Sequence, residues 1–209
     1  MKTNEPLPTT DDRQVLMNFI IEKFEIFNPQ KDSKDQLPKE AGNYVVLLRK
    51  ETPFPTELVS HKPIIHDIKL NGKEYQLIYT GIAKPDSKSS NLKKRIADIH
   101  FGDKTNAGKS TLRLSLGSLM GYIKIYRDQR KQHKKFKIED ELKLTEWMKE
   151  NLLVLYYENS SCKQDEEKMI SVLNPPLNID DNNNSENEEF RDELSSLRSK
   201  KKQFEPIVE

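Results

Sequence analysis

A single cysteine, Cys162, is all the thiol chemistry the 209 residues hold. An internal disulfide framework is therefore excluded, and a reducing cytoplasm is the expected setting. As a catalytic nucleophile one isolated cysteine is a poor candidate; a core or loop thiol is the better reading. No apolar run approaches the length of a membrane span, and Met1 to Asp12 has no basic stretch followed by an apolar one. Neither a membrane anchor nor a secretory signal is expected. No internal repeat is visible. Hydrophobic residues are also scarce, at 34% against 33% charged. The core must be modest, the surface heavily solvated, and part of the chain is expected to stay unpacked. The length suits one substantial α/β domain with appendages, or two very small ones.

Net charge is nearly absent too, at +1, but its distribution is uneven. Between Lys84 and Lys137 fifteen Lys/Arg face four acids, a net of +11. Between Asp180 and Glu193 seven acids face one base, Arg191, a net of −6. A block of positive charge this dense suits a polyanion such as nucleic acid, since each phosphate contacted releases a counterion. A solvated helical surface balanced by acids elsewhere in the fold explains the same charge equally well.

Residues 1–40 read as an N-terminal helix and linker. Thr10 can cap a helix over Asp11 to Phe27, whose apolar residues Leu16, Phe19, Ile20 and Phe27 share one face. Asn43 to Leu48, entered through Gly42, reads as a buried strand. Ile64 to Leu70 and Lys73 to Thr80 flank Asn71-Gly72, a strong hairpin signal of the type I′ turn. Helices are expected from Asn91 to His100, from the Ser110-Thr111 caps through Met120, and from Glu139 to Asn151, with a strongly basic segment from Lys124 to Lys137. A strand over Leu152 to Tyr157 and a helix over Gln164 to Leu173 follow, stopped by Asn174-Pro175-Pro176. Residues 180–209 read as an acidic linker and a solvent-rich helix or tail, Glu188 to Lys202. The expected fold is α/β (α+β): a small mixed or antiparallel sheet of three to four strands flanked by helices.

Two tyrosines lie beside glycines at the ends of core strands, Gly42-Asn43-Tyr44 and Tyr79-Thr80-Gly81. Either tripeptide alone means little. In order after them come Asn91-Leu92-Lys93-Lys94-Arg95, then Glu166-Glu167-Lys168-Met169-Ile170 and Asn174-Pro175-Pro176-Leu177-Asn178. Taken together the four segments resemble the motifs of the GIY-YIG nuclease superfamily, over about 41–179, with a helical insertion at about 102–150. The resemblance implies a GIY-YIG-like fold and an endonuclease in which Tyr44, Tyr79, Arg95 and Glu166 are catalytic, with Glu166 holding a divalent ion, Mg²⁺ or Mn²⁺. It further suggests His100 as an accessory group and Asn178 as a brace of the site; a turn-forming role explains Asn178 almost as well. Many members carry a lysine directly after the second motif's glycine, where this chain has Ile82, and the loop from Gly81 to Asn91 is long.

The chemistry of those residues supports the same reading. Phosphodiester hydrolysis needs an activated water, stabilisation of a highly charged transition state and help for the leaving oxygen. One carboxylate suffices for Mg²⁺, which otherwise keeps its waters. Arg95 offers a planar fork matched to phosphate oxygens. Tyr44 is expected to orient or deprotonate the water, its anion made more accessible by Arg95, with Tyr79 in the same network. Nucleic-acid contacts are expected from Lys84, Lys93, Lys94, Lys109 and Arg113, with Lys88 a further candidate. Gly108-Lys109-Ser110-Thr111 mimics the end of a phosphate-binding P-loop, but the required first glycine falls on Asp103 and no strand precedes it, so an NTPase is rejected.

The expectation is thus a metal-dependent endonuclease acting on nucleic acid, with DNA favoured, no membrane partner, and a homodimer open. The alternatives are a sequence-specific restriction-type enzyme, a nuclease toxin, and a catalytically idle nucleic-acid-binding module.

Overall fold

The computed structural model describes residues 5–84, 90–128 and 131–199. In chain order these form α1 (Arg13–Lys23), β1 (Glu25–Phe27), β2 (Gly42–Arg49), β3 (Asp67–Leu70), β4 (Lys73–Ala83), a π-helix (Lys94–His100), α2 (Thr111–Leu119), β5 (Lys124–Asp128), β6 (Lys131–Phe136), α3 (Ile138–Asn151), β7 (Leu152–Glu158), α4 (Cys162–Leu173) and α5 (Glu188–Ser199). Five strands form one antiparallel sheet in the order β1-β7-β2-β4-β3, and β5 and β6 form a separate two-stranded ribbon. The α+β class is as expected; the sheet has one strand more.

The sheet is covered on both faces, and the alternation along β2 shows how. Tyr44, Val46 and Leu48 point into a cluster with Leu112, Leu116 and Phe190, while Val45 and Leu47 meet Leu16, Ile20 and Met169. Strand period two divides one apolar run between two layers of helices. The Asn71-Gly72 turn has φ of 50° and 76°, the type I′ geometry its sequence predicts.

The extra strand comes from the tail of the predicted first helix. Asp12, not Thr10, caps α1, accepting from the amides of Gln14 (2.8 Å) and Val15 (3.3 Å). The helix stops at Lys23, because Phe24 and Phe27 bury better off it: Phe24 stacks on Tyr157 at 5.2 Å, and Phe27 joins the opposite face of the sheet from Leu16 and Ile20. Helical spacing had placed Phe27 with those residues; pairing of Glu25–Phe27 with β7 overrides it.

Two further expectations change. The basic segment is a β-ribbon. The acidic stretch after Asp180 is anchored instead of loose: Asn187 is buried, accepting from the amide of Ile64 (2.8 Å) and donating to its carbonyl (2.9 Å). Beyond it α5 buries Phe190 and Leu194, one turn apart, and packs on α2. Among the described residues, no helix is long and apolar enough to cross a membrane.

A bulge in β4 prepares the site. Val46 pairs with Tyr79 and Leu47 with Leu77, so Ile78 is the extra residue. Its freed carbonyl accepts from the amide of Leu177 at 3.1 Å, docking the turn after α4 onto β4.

Candidate active site

Tyr44 and Tyr79 point to the same face of the sheet from neighbouring strands, their rings 6.3 Å apart. The hydroxyl of Tyr44 lies 2.7 Å from Nε2 of His100 and accepts a hydrogen bond from Nε of Arg95 at 3.3 Å. Arg95 and His100 both belong to the π-helix. Five residues make about 1.4 turns of an α-helix, which would splay the two side chains. Winding with i→i+5 hydrogen bonds, here Phe101 N–H to Ile96 O at 3.2 Å, brings positions five apart onto one face. The unusual helix is what lets one tyrosine meet both groups.

His100 is gripped at its other nitrogen, with Nδ1 2.6 Å from Oγ of Ser110, the residue that also caps α2 by accepting from Arg113 N–H at 3.1 Å. Next to it Thr111 holds the Tyr79 hydroxyl at 3.0 Å. Sequence reasoning read Ser110 and Thr111 only as helix caps. Their spacing before α2 gave no sign of a second role, since both partners arrive from distant segments.

Burial sets the charges. His100 has no exposed surface, and desolvation, then Arg95 and Arg113, push its pKa well below the ordinary 6.5, so the ring is neutral and Nε2 can accept a hydrogen bond from the Tyr44 hydroxyl. Tyr44 is equally sealed. Its pKa is raised, chiefly by burial and then by Tyr79, and Arg95 only partly offsets this. The expectation that Arg95 would make the tyrosinate accessible is therefore corrected: desolvation dominates. Arg95 holds its proton more firmly than usual, mainly because of Tyr44.

Glu166 sits on α4, one turn before Ile170, and faces a cleft of about 120 Å³ that Tyr79, Thr111, Asn178, Asp180, Asp181 and Arg198 also line. Burial raises its pKa to about 7, with Asp181 and Glu167 adding to the rise and Arg95 and Lys84 opposing it. Those opposing effects put Arg95 and Lys84 within electrostatic reach of the carboxylate. α4 is held to the sheet at both ends. At its start, buried Asn43 donates to the carbonyl of Cys162 at 2.8 Å. Beyond its end, Asn178 grips Thr80 twice, accepting from its amide at 2.9 Å and donating to its carbonyl at 3.0 Å.

Tyr44, Tyr79, Arg95, His100 and Glu166 thus converge, with Asn178 at the edge as a clamp. Of the expected phosphate contacts only Lys84 comes within electrostatic reach of Glu166. Lys84 and Lys94 are exposed, and Lys93 is paired with Asp35 at 2.6 Å. Lys109 lines a different groove, with Phe27, Asp98 and Phe101. Lys88 lies outside the described residues. Arg113 is a correction. It has 0% exposure and is held by Glu141 (2.7 Å), Thr145 (2.9 Å) and the carbonyl of His100 (3.0 Å), so it cannot meet a phosphate. An arginine on the buried face of α2 is stable only when paired, and Glu141 of α3 supplies the pair.

A model of the GIY-YIG catalytic domain matches residues 42–200. This chain belongs to the GIY-YIG family. Comparison with curated proteins, and with solved structures, gives no match. The GIY-YIG family is one of endonucleases, which act on nucleic acid and generally use divalent metals.

The residues of this GIY-YIG cleft fit such an ion. Glu166 is a desolvated carboxylate next to Asp181, and a cation there would relieve both burial and repulsion. Among the described residues no set of three His, Cys, Asp or Glu forms a closed metal cage. One or two carboxylates with retained waters is the usual arrangement for Mg²⁺.

Proposed function

We propose that this protein is a divalent-metal-dependent endonuclease that hydrolyses phosphodiester bonds of nucleic acid, DNA being the favoured substrate, in the cytoplasm. The observation that carries the reading is the meeting of Tyr44, Arg95 and His100 at one hydroxyl, beside a cleft that holds Tyr79 and Glu166.

Each group has a task. Glu166 is the residue that would hold Mg²⁺ or Mn²⁺, and the ion when bound would neutralise charge on the phosphate and on the leaving oxygen. Arg95 binds the phosphate and offsets the charge that builds as water adds to phosphorus. Tyr79, which lines the cleft, orients the water. Tyr44 lies sealed behind it, so its part is relay: it gives its proton to Nε2 of neutral His100 as it accepts one from the water side. The water oxygen forms the new P–O bond, the old P–O bond breaks with its electron pair going to the leaving oxygen, and the proton that reaches His100 returns along the same hydrogen bonds to that oxygen, because burial keeps the imidazolium from persisting. An idle binding module has no use for an acid in a groove meant for an anion, which argues against that alternative.

The β5–β6 ribbon favours one second reading, a restriction-type enzyme that recognises a sequence. Residues 124–137 hold seven Lys/Arg and one acid, and a two-stranded ribbon fits the major groove.

Plasmid cleavage with Mg²⁺ or Mn²⁺ tests the nuclease reading. Wild type should nick or linearise the plasmid and Glu166→Ala should not; equal cleavage by both sinks the mechanism.

A further inference from the structure

We propose that Arg198, on the C-terminal helix α5, is a second phosphate-binding arginine of this cleft, an assignment that rests on the nuclease reading above.

Arg198 lines the same cleft as Tyr79, Thr111 and Glu166, and it is the one cationic side chain among the described residues that do so. Beside it stand Glu166, Asp180 and Asp181. Three carboxylates alone would repel a phosphodiester. A divalent ion held by Glu166, together with the Arg198 guanidinium, would turn the cleft into one that accepts a phosphate. A planar fork of donors suits that ligand, since it can hold two phosphate oxygens at once.

The placement of Arg198 is built and not incidental. α5 is pinned by buried Phe190 and Leu194, by Arg191 donating to Oδ1 of Asn174 at 3.1 Å, and by the Lys124 ammonium on the carbonyl of Leu197. In the middle of the helix Glu193 accepts from the amide of Ser60 at 2.6 Å. A long flexible side chain is thus delivered to the cleft from a fixed backbone. Desolvation lowers its pKa, with Asp180 and then Tyr79 opposing.

The test is steady-state cleavage of supercoiled plasmid with Mg²⁺ over a salt series, for wild type, Arg198→Ala and Arg198→Lys, with thermal melting of each. Arg198→Ala should raise KM about tenfold, with the melting temperature held. It should also make the fall of log(kcat/KM) with log salt shallower by about 0.9, the signature of one lost phosphate contact. Arg198→Lys should restore the slope and part of the KM. Wild-type KM and slope in Arg198→Ala overturn the assignment while leaving the nuclease reading intact. So does a KM defect that tracks a fall in melting temperature, leaves the slope unchanged and is not rescued by lysine. No cleavage by wild type sinks both readings.

Discussion

Nε2 of His100 lies 2.7 Å from the hydroxyl of Tyr44, and both side chains are fully buried. Burial disfavours both the tyrosinate and the imidazolium, so a proton passes along this hydrogen bond only if Tyr44 receives one as it gives one. Ser110, 2.6 Å from Nδ1, fixes the ring so that Nε2 always faces the tyrosine. If the pair is the proton acceptor, His100→Ala should lower kcat in plasmid cleavage by about 10²–10⁴. Ser110→Ala, which leaves the acceptor in place and only loosens it, should cost about tenfold or less. Full activity in His100→Ala removes the relay from the mechanism.

Glu166 gives a pH dependence with a definite sign. Its folded pKa of about 7 stands above the ordinary 4.5, so cleavage at low metal should rise as pH passes through about 7, when the carboxylate ionises. More Mg²⁺ should move the midpoint downward, since the ion competes with the proton. Stability runs the opposite way. The contribution of a carboxyl whose pKa is raised on folding is fully present below pH 4.5 and lost as pH rises through about 7. Without metal, Glu166→Gln should therefore gain stability over wild type between pH 5 and 8, by on the order of 2 kcal/mol. Parallel melting curves across that range would mean that the carboxylate is well solvated.

Arg113 and Glu141 form a buried pair at 2.7 Å that ties five segments together. Besides its bonds to Arg113, Glu141 accepts from the amides of Ala107 (2.8 Å) and Phe136 (3.0 Å), and Arg113 donates to the last carbonyl of the π-helix, that of His100. Removing either partner strands a charge, so Arg113→Ala or Glu141→Ala should each lose about 3–5 kcal/mol in denaturant unfolding. A double replacement by apolar residues of similar size should lose less than either single change. Loss of DNA affinity without loss of stability in Arg113→Ala would restore the surface role that burial excludes.

These residues also mark where sequence reading stops. Gly42-Asn43-Tyr44 and Tyr79-Thr80-Gly81 mean little alone; only their resemblance, together with the motifs that follow in order, to the GIY-YIG pattern singles them out and adds Arg95 and Glu166. Four of the five strands follow from short apolar runs and from one Asn-Gly turn. What stays hidden depends on encounters between distant segments. Nothing in Lys93-Lys94-Arg95 announces π winding, nothing in a helix cap foretells that Ser110 will meet His100, and a basic residue at position 113 looks like a surface group until Glu141 arrives 28 residues later. The helix-to-strand change at Phe24 has the same origin, since the winning contact is with Tyr157.

The two turn and motif glycines separate sterics from backbone freedom, and that contrast is testable. A Cβ on Gly81 would run into the hydroxyl and Cζ of Tyr44, whose ring is hemmed in by Tyr79 at 6.3 Å and His100 at 5.5 Å. With no exposed surface to retreat into, Tyr44 must leave His100 or the β2–β4 ladder must open. Gly81→Ala should therefore cost about 1–3 kcal/mol from overpacking and abolish plasmid cleavage. Gly72 differs: a Cβ there meets nothing within 4 Å, but its φ is +76°, which an alanine adopts only under strain. Gly72→Ala should lose about 1 kcal/mol of stability and keep its cleavage rate. If Gly81→Ala cuts as well as Gly72→Ala, the position of the Tyr44 hydroxyl does not matter to catalysis, and the proton path through His100 falls with it.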